Sequence, residues 1–381
     1  MTDPRVDRLA ELIVGYSIEA GEGQVIRIDG AAVAAPLIVA LHRAALWRGA
    51  HPYSHVDIEG LPELLIGEGT EEQLTYLSPL EFREIDTVDA IVTIWSESNT
   101  RSFTRLDPNR HQRYIARRRE LRNRLWERIT RGEARWAGTL YPTNAHAQEA
   151  ELSLREYEDF VYRACHVDED DPVAHWRSYG AQLIDRAHWL ASVRELRIVG
   201  EDTDLRVGVD GRVWEAALGK LNMPDGEVFT SPVETETEGT VRFSFPAVFQ
   251  GREVRDVRLR FEQGRAVEAE AASGDDYLQA LLGMDEGARV LGEVAFGLNY
   301  EIDRFTRNTL FDEKIGGTMH VALGYGFEAL GSRNTSGLHW DLICDLREGG
   351  EVYADGELVW RAGHFLVEPQ PAEAPAETPT A

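Results

Sequence analysis

The sequence predicts an α/β N-terminal domain with a mainly parallel sheet, followed by an α+β, β-rich C-terminal domain. Up to about residue 190, strand-like and helix-like segments alternate along the chain. After that point, short alternating strands follow one another with turn residues between them. The first pattern favours a parallel sheet and the second an antiparallel one. We therefore expect domains at 1–190 and 191–367.

The N-terminal domain is predicted from apolar strands and amphipathic helices that take turns. The strand-like segments are 23–30, 50–58, 89–97 and 134–142, the last of which ends in proline. The helix-like segments are 31–48, the arginine-rich 108–131, and 153–165, which begins with the capping sequence Ser-Leu-Arg-Glu. Side chains of this capping type satisfy the free backbone amides of a first helical turn.

The C-terminal domain is predicted from residues that alternate between apolar and polar. The strand-like segments are 195–200, 203–210, 211–219, 240–248, 252–264 and 265–271, and a helix is expected near 275–284. The last segment, 368–381, is rich in proline, alanine and glutamate and has no aromatic residue. Such a composition cannot bury enough apolar surface to fold, so we expect a disordered acidic tail.

Composition excludes several classes of partner. Asp and Glu outnumber Lys and Arg by 66 to 40, which disfavours binding to nucleic acid and to anionic membranes. No apolar run approaches the roughly 18–20 residues that span a bilayer, and the N-terminus lacks the apolar core of a signal peptide. A cytoplasmic protein is the default expectation. The two cysteines, Cys165 and Cys344, are expected to be free thiols, so any metal must bind to His, Asp or Glu.

The clearest candidate site lies in the last third of the chain. His339 and Asp341 are two residues apart in a strand-like run, which places both side chains on one face. Together with His320 they form a two-histidine, one-carboxylate set that is sufficient for one metal with open positions. Glu227 and Glu293 interrupt apolar sequence and could serve a second metal. The alternative for each histidine alone is a hydrogen-bonded residue of the core.

Two neighbouring residues, Glu313 and Lys314, are further candidates. Lys314 is one of only two lysines, with Lys220, in a chain that otherwise uses arginine. It could neutralise a ligand carboxylate or contact substrate, or it could form a surface ion pair with Asp312 or Glu313. Glu313 is a candidate general base or a carboxylate next to the ligands.

Other residues receive weaker predictions. Arg333 and Asn334 are expected in a loop near the site. His51 and His55 have the spacing of a helical metal pair, but Pro52 and the surrounding strand pattern argue against a metal site. The arginine-rich helix is expected to present a solvated face or a dimer contact.

Several ordered motifs resemble the M29 metallopeptidases, the family of aminopeptidases T and S. The matching segments are PDGEVFTSPVE, GEVAFGLN, LFDEKIGGTMHVALG, SGLHWD and YPTNAHAQEAELSLREYEDFVYRACHVDEDDPVAHW, which extend the resemblance over nearly the whole chain except the tail. The resemblance implies a two-domain homodimeric enzyme that removes N-terminal residues from short peptides. It also implies two divalent metal ions (Zn, Co or Mg) per chain. The implied ligands are Glu227, Glu293, His320, His339 and Asp341.

One position departs from this family pattern. The family places a catalytic tyrosine seven residues after the histidine that matches His320, and this chain has Phe327 there. Tyr325 would share a face with position 327 in an extended segment, so we expect it to replace the missing hydroxyl donor. Two alternatives stay open: a mononuclear Fe(II) ring-cleaving dioxygenase on the same scaffold, related to dihydroxypyridine dioxygenases, and a catalytically weakened metal-binding paralogue.

Overall fold

The computed structural model describes residues 3–249 and 251–367, and the tail predicted at 368–381 lies outside the described residues. The described chain forms two compact units. The first contains the residues up to His175 together with Gly219–Pro224, and the second contains Trp176–Leu218 and the residues from Asp225 onward. The division predicted after residue 190 stays a prediction. No pattern in the sequence indicated that residues 219–224 return to the first unit.

The first unit is built on a five-stranded parallel sheet with the strand order β2-β1-β3-β4-β8. Its strands are β1 (Val25–Ala31), β2 (His51–Asp57), β3 (Ala90–Trp95), β4 (Arg135–Leu140) and β8 (Asn222–Met223). The central strand β3 is almost fully buried, as its apolar sequence requires. The four predicted strands of the N-terminal half are confirmed, and each strand end lies within two residues of its predicted position.

Helices separate the strands of this sheet. They are α1 (Pro4–Leu12), α2 (Ala35–Trp47), α3 (Leu61–Glu68), α4 (Glu71–Thr75), α5 (Pro79–Thr87), α6 (Pro108–Thr130), α7 (Asn144–Glu149), α8 (Leu154–Ala164) and α9 (Pro172–Leu190). Ser153 and Glu156 form the predicted capping box at the start of α8. Two further capping boxes, begun by Thr70 and Ser78, start α4 and α5.

The second unit consists of antiparallel sheets around one apolar core. Nine strands form the larger sheet, in the order β11-β12-β10-β6-β5-β17-β18-β19 with β13 paired to β12, and five form the smaller, β16-β15-β14-β9-β7. The strands are β5 (Glu195–Gly200), β6 (Thr203–Gly208), β7 (Glu215–Ala217), β9 (Glu227–Thr230), β10 (Thr237–Phe243), β11 (Ala247–Phe249), β12 (Arg252–Glu262), β13 (Arg265–Ser273), β14 (Leu291–Gly297), β15 (Thr318–Gly324), β16 (His339–Asp345), β17 (Glu351–Ala354), β18 (Glu357–Arg361) and β19 (His364–Phe365).

Two helices, α10 (Asp275–Leu282) and α11 (Thr309–Asp312), belong to the second unit, which also contains α9 from Trp176 onward. The first confirms the helix predicted near 275–284. The core joins both sheets, since Phe243 and Leu259 of the larger sheet and Val321 and Leu342 of the smaller one belong to a single buried cluster. The predicted fold class, a parallel α/β part followed by a β-rich part, is therefore confirmed.

Candidate metal centre

All five predicted metal ligands lie on the smaller sheet of the second unit. Glu227 begins β9, Glu293 lies in β14, His320 in β15, and His339 and Asp341 in β16. These four strands are adjacent in the sheet. Because side chains alternate between faces, the pairing register places the five ligands on one face. Residues of the other face, such as Val294 and Val321, pack into the core.

Small residues make room for the ligands on this face. Every ligand faces a glycine or an alanine across the strand ladder: Gly297 is paired with Glu227, Ala295 with His320, Ala322 with both Glu293 and Asp341, and Gly324 with His339. A larger side chain at any of these positions would occupy the space between directly paired residues, whose Cβ atoms are only about 5 Å apart. The sheet therefore carries a polar depression where most sheets would carry packed side chains.

Glu293 stands between two groups of ligands. Its Oε1 lies 3.4 Å from His320 Nε2 and its Oε2 lies 3.5 Å from His339 Nε2. Glu227 Oε2 lies 3.6 Å from His320 Nε2, and Asp341 Oδ1 lies 3.6 Å from His339 Nε2. The five residues thus form two triads, one with Glu227 and His320 and one with His339 and Asp341, that share Glu293.

Both histidines are oriented by backbone carbonyls. His320 Nδ1 lies 3.1 Å from the carbonyl oxygen of Glu313, and His339 Nδ1 lies 2.9 Å from that of Tyr325. A carbonyl can only accept, so each Nδ1 donates its proton, and each Nε2 is the ring nitrogen that can bind a metal once it has lost its own proton. Both Nε2 atoms are the ones that approach the carboxylates.

The site concentrates buried charge. Burial raises the pKa of Glu227 to about 8 and that of Asp341 to about 7, because water that would stabilise the carboxylates is excluded. Burial alone would lower the pKa of His320, but its contact with Glu293 and the charge of Glu227 outweigh burial and raise it to about 10. The depression thus favours an additional positive charge.

Lys314 and Glu313 lie beside the triad of Glu227, His320 and Glu293, here called the first triad; the second triad is Glu293, His339 and Asp341. The side chain of Lys314 is only 1% exposed, and its Nζ lies 3.3 Å from Glu227 Oε1 and donates to Glu313 Oε2 at 2.6 Å. Lys314 therefore forms the predicted ion pair with Glu313, but in the interior of the protein and not at its surface. Burial opposes the ionised form of Glu313, but the charges of Lys314 and His320 outweigh burial and hold the pKa of Glu313 below its ordinary value.

Tyr325 and Phe327 both lie at the edge of the site. Their rings approach the imidazole of His339 edge-on, with centroid distances of 6.3 Å for Tyr325 and 5.5 Å for Phe327. Tyr325 is 40% exposed, whereas Phe327 is partly buried and contacts Phe229 at 5.7 Å. The structure therefore brings the tyrosine predicted as a substitute donor next to the second triad.

The residues present fit a metal pair. Two ligands that bind one ion at about 2.1 Å with a tetrahedral angle lie about 3.4 Å apart, and the contacts of Glu293 with the two histidines measure 3.4 and 3.5 Å. Glu227 Oε2 is buried and has no hydrogen-bond partner among the described residues. A buried carboxyl oxygen without a donor is costly, so this atom fits the position of a metal ligand.

The remaining predicted residues lie elsewhere or act on loops. Arg333 and Asn334 stabilise the loop before β16, since the Arg333 amide donates to Glu234 and the Asn334 side chain donates to the Gly287 carbonyl. Within residues 3–249 and 251–367, neither His51 nor His55 belongs to a group that could hold a metal. Both cysteines are free and buried, as predicted. No helix in the described ranges is both long and apolar enough to cross a membrane.

Another group of possible metal ligands lies in the first unit, but its members contact each other at hydrogen-bonding distance. His166 and His175 Nδ1 lie 3.0 and 2.8 Å from Glu169 Oε1, and the two imidazoles stack at 3.7 Å. These contacts are shorter than those of the metal centre. Parallel rings also cannot both direct a lone pair at one ion without rotating.

Sequence reasoning missed the residues that shape the site. Ala295, Gly297, Ala322 and Gly324 follow ligands or precede them at steps of two along their strands, and this spacing was visible in GEVAFG and TMHVALG. Glu215 of β7 was also missed. It is paired with Phe229, and its pKa is raised by burial and then by the charge of Glu293.

Comparison with known proteins identifies the family. The family described as "Thermophilic metalloprotease (M29)" matches residues 2–365. Aminopeptidase T of Thermus thermophilus is 33% identical over 224 residues, which is 53% of this chain and 52% of that protein. The chain thus spans about half the length of this relative. Aminopeptidase 2 of Geobacillus stearothermophilus is 28% identical over 96% of this chain and 98% of its own.

A solved structure agrees with these matches. The structure titled "Wild-type AmpT from Thermus thermophilus" superposes with a TM-score of 0.85 and 25% identity, and the match covers 96% of this chain and 99% of that one. The resemblance seen in the motifs is confirmed over nearly the whole chain. The chain therefore belongs to the M29 family of thermophilic metalloproteases.

Proposed function

We propose that this enzyme is a metal-dependent aminopeptidase that removes N-terminal residues from short peptides at a dinuclear metal centre. The observation that carries the proposal is the position of Glu293, which is shared by two triads of metal-binding side chains. The names of the relatives, aminopeptidase T and aminopeptidase 2, support the reaction. The implied homodimer stays a prediction.

Each triad would hold one divalent ion, of Zn, Co or Mg. Glu227 and His320 would hold one ion, His339 and Asp341 would hold the other, and Glu293 could serve both. Bound there, the two ions would polarise the scissile carbonyl and lower the pKa of the attacking water. Glu293 links the two triads, because its two oxygens face different histidines.

Glu313 is proposed to move the proton of the attacking water. Its carboxylate is ionised at neutral pH because the charges of Lys314 and His320 outweigh the effect of burial on its pKa. It also lies next to Asp341, whose pKa it raises together with burial. An ionised carboxylate at this position can accept a proton and later give it to the leaving amine.

Lys314 is proposed to balance charge inside the centre. Of the two roles predicted for it, its contacts favour neutralising Glu227 and Glu313 over contact with substrate, because the side chain is 1% exposed. Two carboxylates so close together in a buried site would otherwise repel each other. Contact with substrate stays a prediction.

Tyr325 is proposed to donate its hydroxyl hydrogen to the oxyanion of the tetrahedral intermediate. Its ring is exposed and borders His339, whereas position 327 has no hydroxyl. One such donor contributes about 100–1,000-fold in rate.

The proposal is tested by counting metals and by comparing two substrates. We expect two divalent ions per chain and release of p-nitroaniline from leucine p-nitroanilide, with no release from its N-acetylated form. Removal of the ions with a chelator should abolish activity, and added Zn or Co should restore it. The variant Glu357→Gln, which alters an exposed residue of β18, should behave like the wild type.

Three results would overturn this proposal. One iron per chain with oxygen consumption on a dihydroxypyridine would identify the ring-cleaving dioxygenase instead. Cleavage of the acetylated substrate would exclude an aminopeptidase. Two bound ions with no turnover of any peptide series would indicate the weakened metal-binding paralogue.

A further inference from the structure

The first unit contains a cavity of about 420 Å³ that the metal centre does not involve. Its floor is formed by the ends of β1 and β3, and its walls include residues that follow β2 and the Tyr114 ring of α6. In the sheet, β1 lies between β2 and β3. The chain therefore leaves β1 toward one side and reaches β3 on the other. Such a switch point, at the carboxyl ends of the strands, is where open α/β sheets bind ligands.

The lining of this cavity is acidic. It includes the carboxyl groups of Asp29, Asp57, Glu59, Glu63 and Glu97, and no lysine or arginine is among its described lining residues. Glu59 accepts from the Ser98 amide and hydroxyl, and these bonds hold the pKa of Glu59 below its ordinary value. Glu59 therefore keeps its negative charge at neutral pH, whereas burial raises the pKa of Asp29 and that of Asp57.

Asp29 supplies a carboxylate oxygen that lacks a donor. Its Oδ2 accepts from Arg27 Nε and Nη2 at 3.1 and 2.9 Å. Its Oδ1 is buried and has no hydrogen-bond partner among the described residues, and His55 Nδ1 is 3.9 Å away. This oxygen has almost no accessible surface, so Asp29 contributes its charge to the cavity and not a direct hydrogen bond to a ligand.

Aromatic rings form the rest of the wall. Trp95, Phe103 and Tyr114 line the cavity together with the acidic residues. The guanidinium of Arg118 already lies 3.8 Å from the centroid of Tyr114, and one face of Phe103 stacks on His111 at 4.9 Å. Trp95 and the other face of Phe103 are left for a ligand. Aromatic faces beside carboxylates attract organic cations, because both the ring faces and the carboxylates carry negative potential.

We propose that this cavity binds a small organic ammonium ion, whose charge is attracted by the carboxyl groups of Asp29, Asp57 and Glu59 and whose apolar body packs against Trp95 and Phe103. A bare metal ion fits less well. In the part of the chain that the structure describes, the groups of three or more donors within reach of one ion include none of these carboxyl groups. The cavity also has room for far more than one ion.

The probe for this proposal is phenethylamine, and phenethyl alcohol is its neutral analogue of the same shape. Both are titrated calorimetrically into the full-length, metal-loaded enzyme at constant ionic strength. We expect the ammonium form to bind at least about tenfold more tightly than the alcohol. Asp29→Asn should remove this preference, because asparagine keeps the shape of the side chain and loses its charge.

Two further variants complete the design. Asp7→Asn removes an exposed carboxylate of the same unit, which pairs with Arg43, and should leave binding unchanged. Phe103→Ala removes a ring that is 37% exposed, so folding should tolerate it, and it should weaken both probes while keeping the preference for the ammonium form. If Asp29→Asn does not fold, the affinities of Phe103→Ala for the two probes test the proposal on their own.

The proposal is overturned by equal affinities for the two probes, or by binding that neither Asp29→Asn nor Phe103→Ala reduces. Competition by Mg²⁺ at equal ionic strength would identify an inorganic cation site and would also overturn it. An undiminished preference for the amine in Asp29→Asn would place the amine elsewhere, such as at the metal centre, and would overturn the proposal as well. None of these results depends on peptidase activity.

Discussion

Glu293 and His339 lie two strands apart in the sheet, and yet Glu293 Oε2 is 3.5 Å from His339 Nε2. Strand β15 runs between them, and it presents only Ala322 and Gly324 at the paired positions. The two side chains therefore meet above the intervening strand. This contact makes Glu293 common to both triads, and the first prediction rests on it.

Glu293→Gln should remove the shared charge and keep the shape of the side chain. We expect the metal content to fall from two ions per chain to one or fewer. Activity should fall by more than about 100-fold, since losing even an outer partner of a metal ligand costs about 10–100-fold. Elemental analysis and leucine p-nitroanilide turnover provide the measurements. An unchanged metal count would contradict a shared ligand.

Lys314→Met should destabilise the metal-free protein. Lys314 contacts Glu227 and Glu313 in a buried site, and removing one partner of a buried ion pair costs about 3–5 kcal/mol. Bound metal should narrow the difference, because a divalent ion neutralises Glu227 in place of the ammonium group. Urea unfolding with and without metal measures both effects. Equal losses in the two states would argue against charge balance.

Tyr325→Phe should lower kcat by about 100–1,000-fold if its hydroxyl stabilises the oxyanion. Metal content should stay the same, because Tyr325 contributes only its backbone carbonyl to His339. Adding Phe327→Tyr to this variant should recover part of the activity, since both rings border His339. Unchanged turnover in Tyr325→Phe would remove the residue from the mechanism.

Metal binding at pH 7 should release at least one proton per chain. The pKa of His320 in the metal-free protein is raised to about 10, and that of Glu227 to about 8, so both keep a proton that a metal must displace. Metal affinity should therefore increase as pH rises. Calorimetric titrations in two buffers of different ionisation enthalpy count the protons. Identical heats in both buffers would refute the prediction.

Asp312→Asn should stabilise the protein above pH 7. Asp312 is buried, and burial raises its pKa from an ordinary 3.8 to about 7, so the folded state holds its proton more tightly than the unfolded state. The stability of the wild type must then fall as pH rises from about 4 to about 7, by up to about 4 kcal/mol. Asparagine can still accept from the Thr306 amide and hydroxyl, as Asp312 does.

The pH dependence provides the check on this variant. Its advantage in urea unfolding should be largest at pH 8, smaller at pH 6 and smaller again at pH 5. A constant difference across this range would show that the charge of Asp312 is not responsible. Asp7→Asn, which changes an exposed carboxylate, should show no such trend.

Local patterns predicted much of this molecule. Strand β1 was expected at 23–30 and lies at Val25–Ala31, because its alternating apolar residues favour packing on a sheet independently of the neighbouring segments. His339 and Asp341 were expected to share a face, because two-residue spacing decides this within one strand. The free thiols and the cap at Ser153 were also determined locally.

Long-range pairing was beyond these patterns. Glu227 and Glu293 meet because β9 pairs with β14 in one register, and a shift by one residue would turn one of them to the opposite face. No periodicity reports which strands become neighbours. The resemblance of the motifs, and not any periodicity, implied that these two glutamates belong to one metal centre. The return of residues 219–224 to the first unit could not be predicted either, because it also depends on which strands become neighbours.

The glycines and alanines opposite the ligands have a consequence for the history of such enzymes. A descendant could keep all five donor residues and still lose its metals through one change of Ala322 to leucine, a position that carries no chemistry. Conversely, a sheet with the right donors could acquire the centre when its bulky residues shrink. A list of the donor residues alone would then misclassify both of these proteins. The small residues paired with the donors would have to be examined as well.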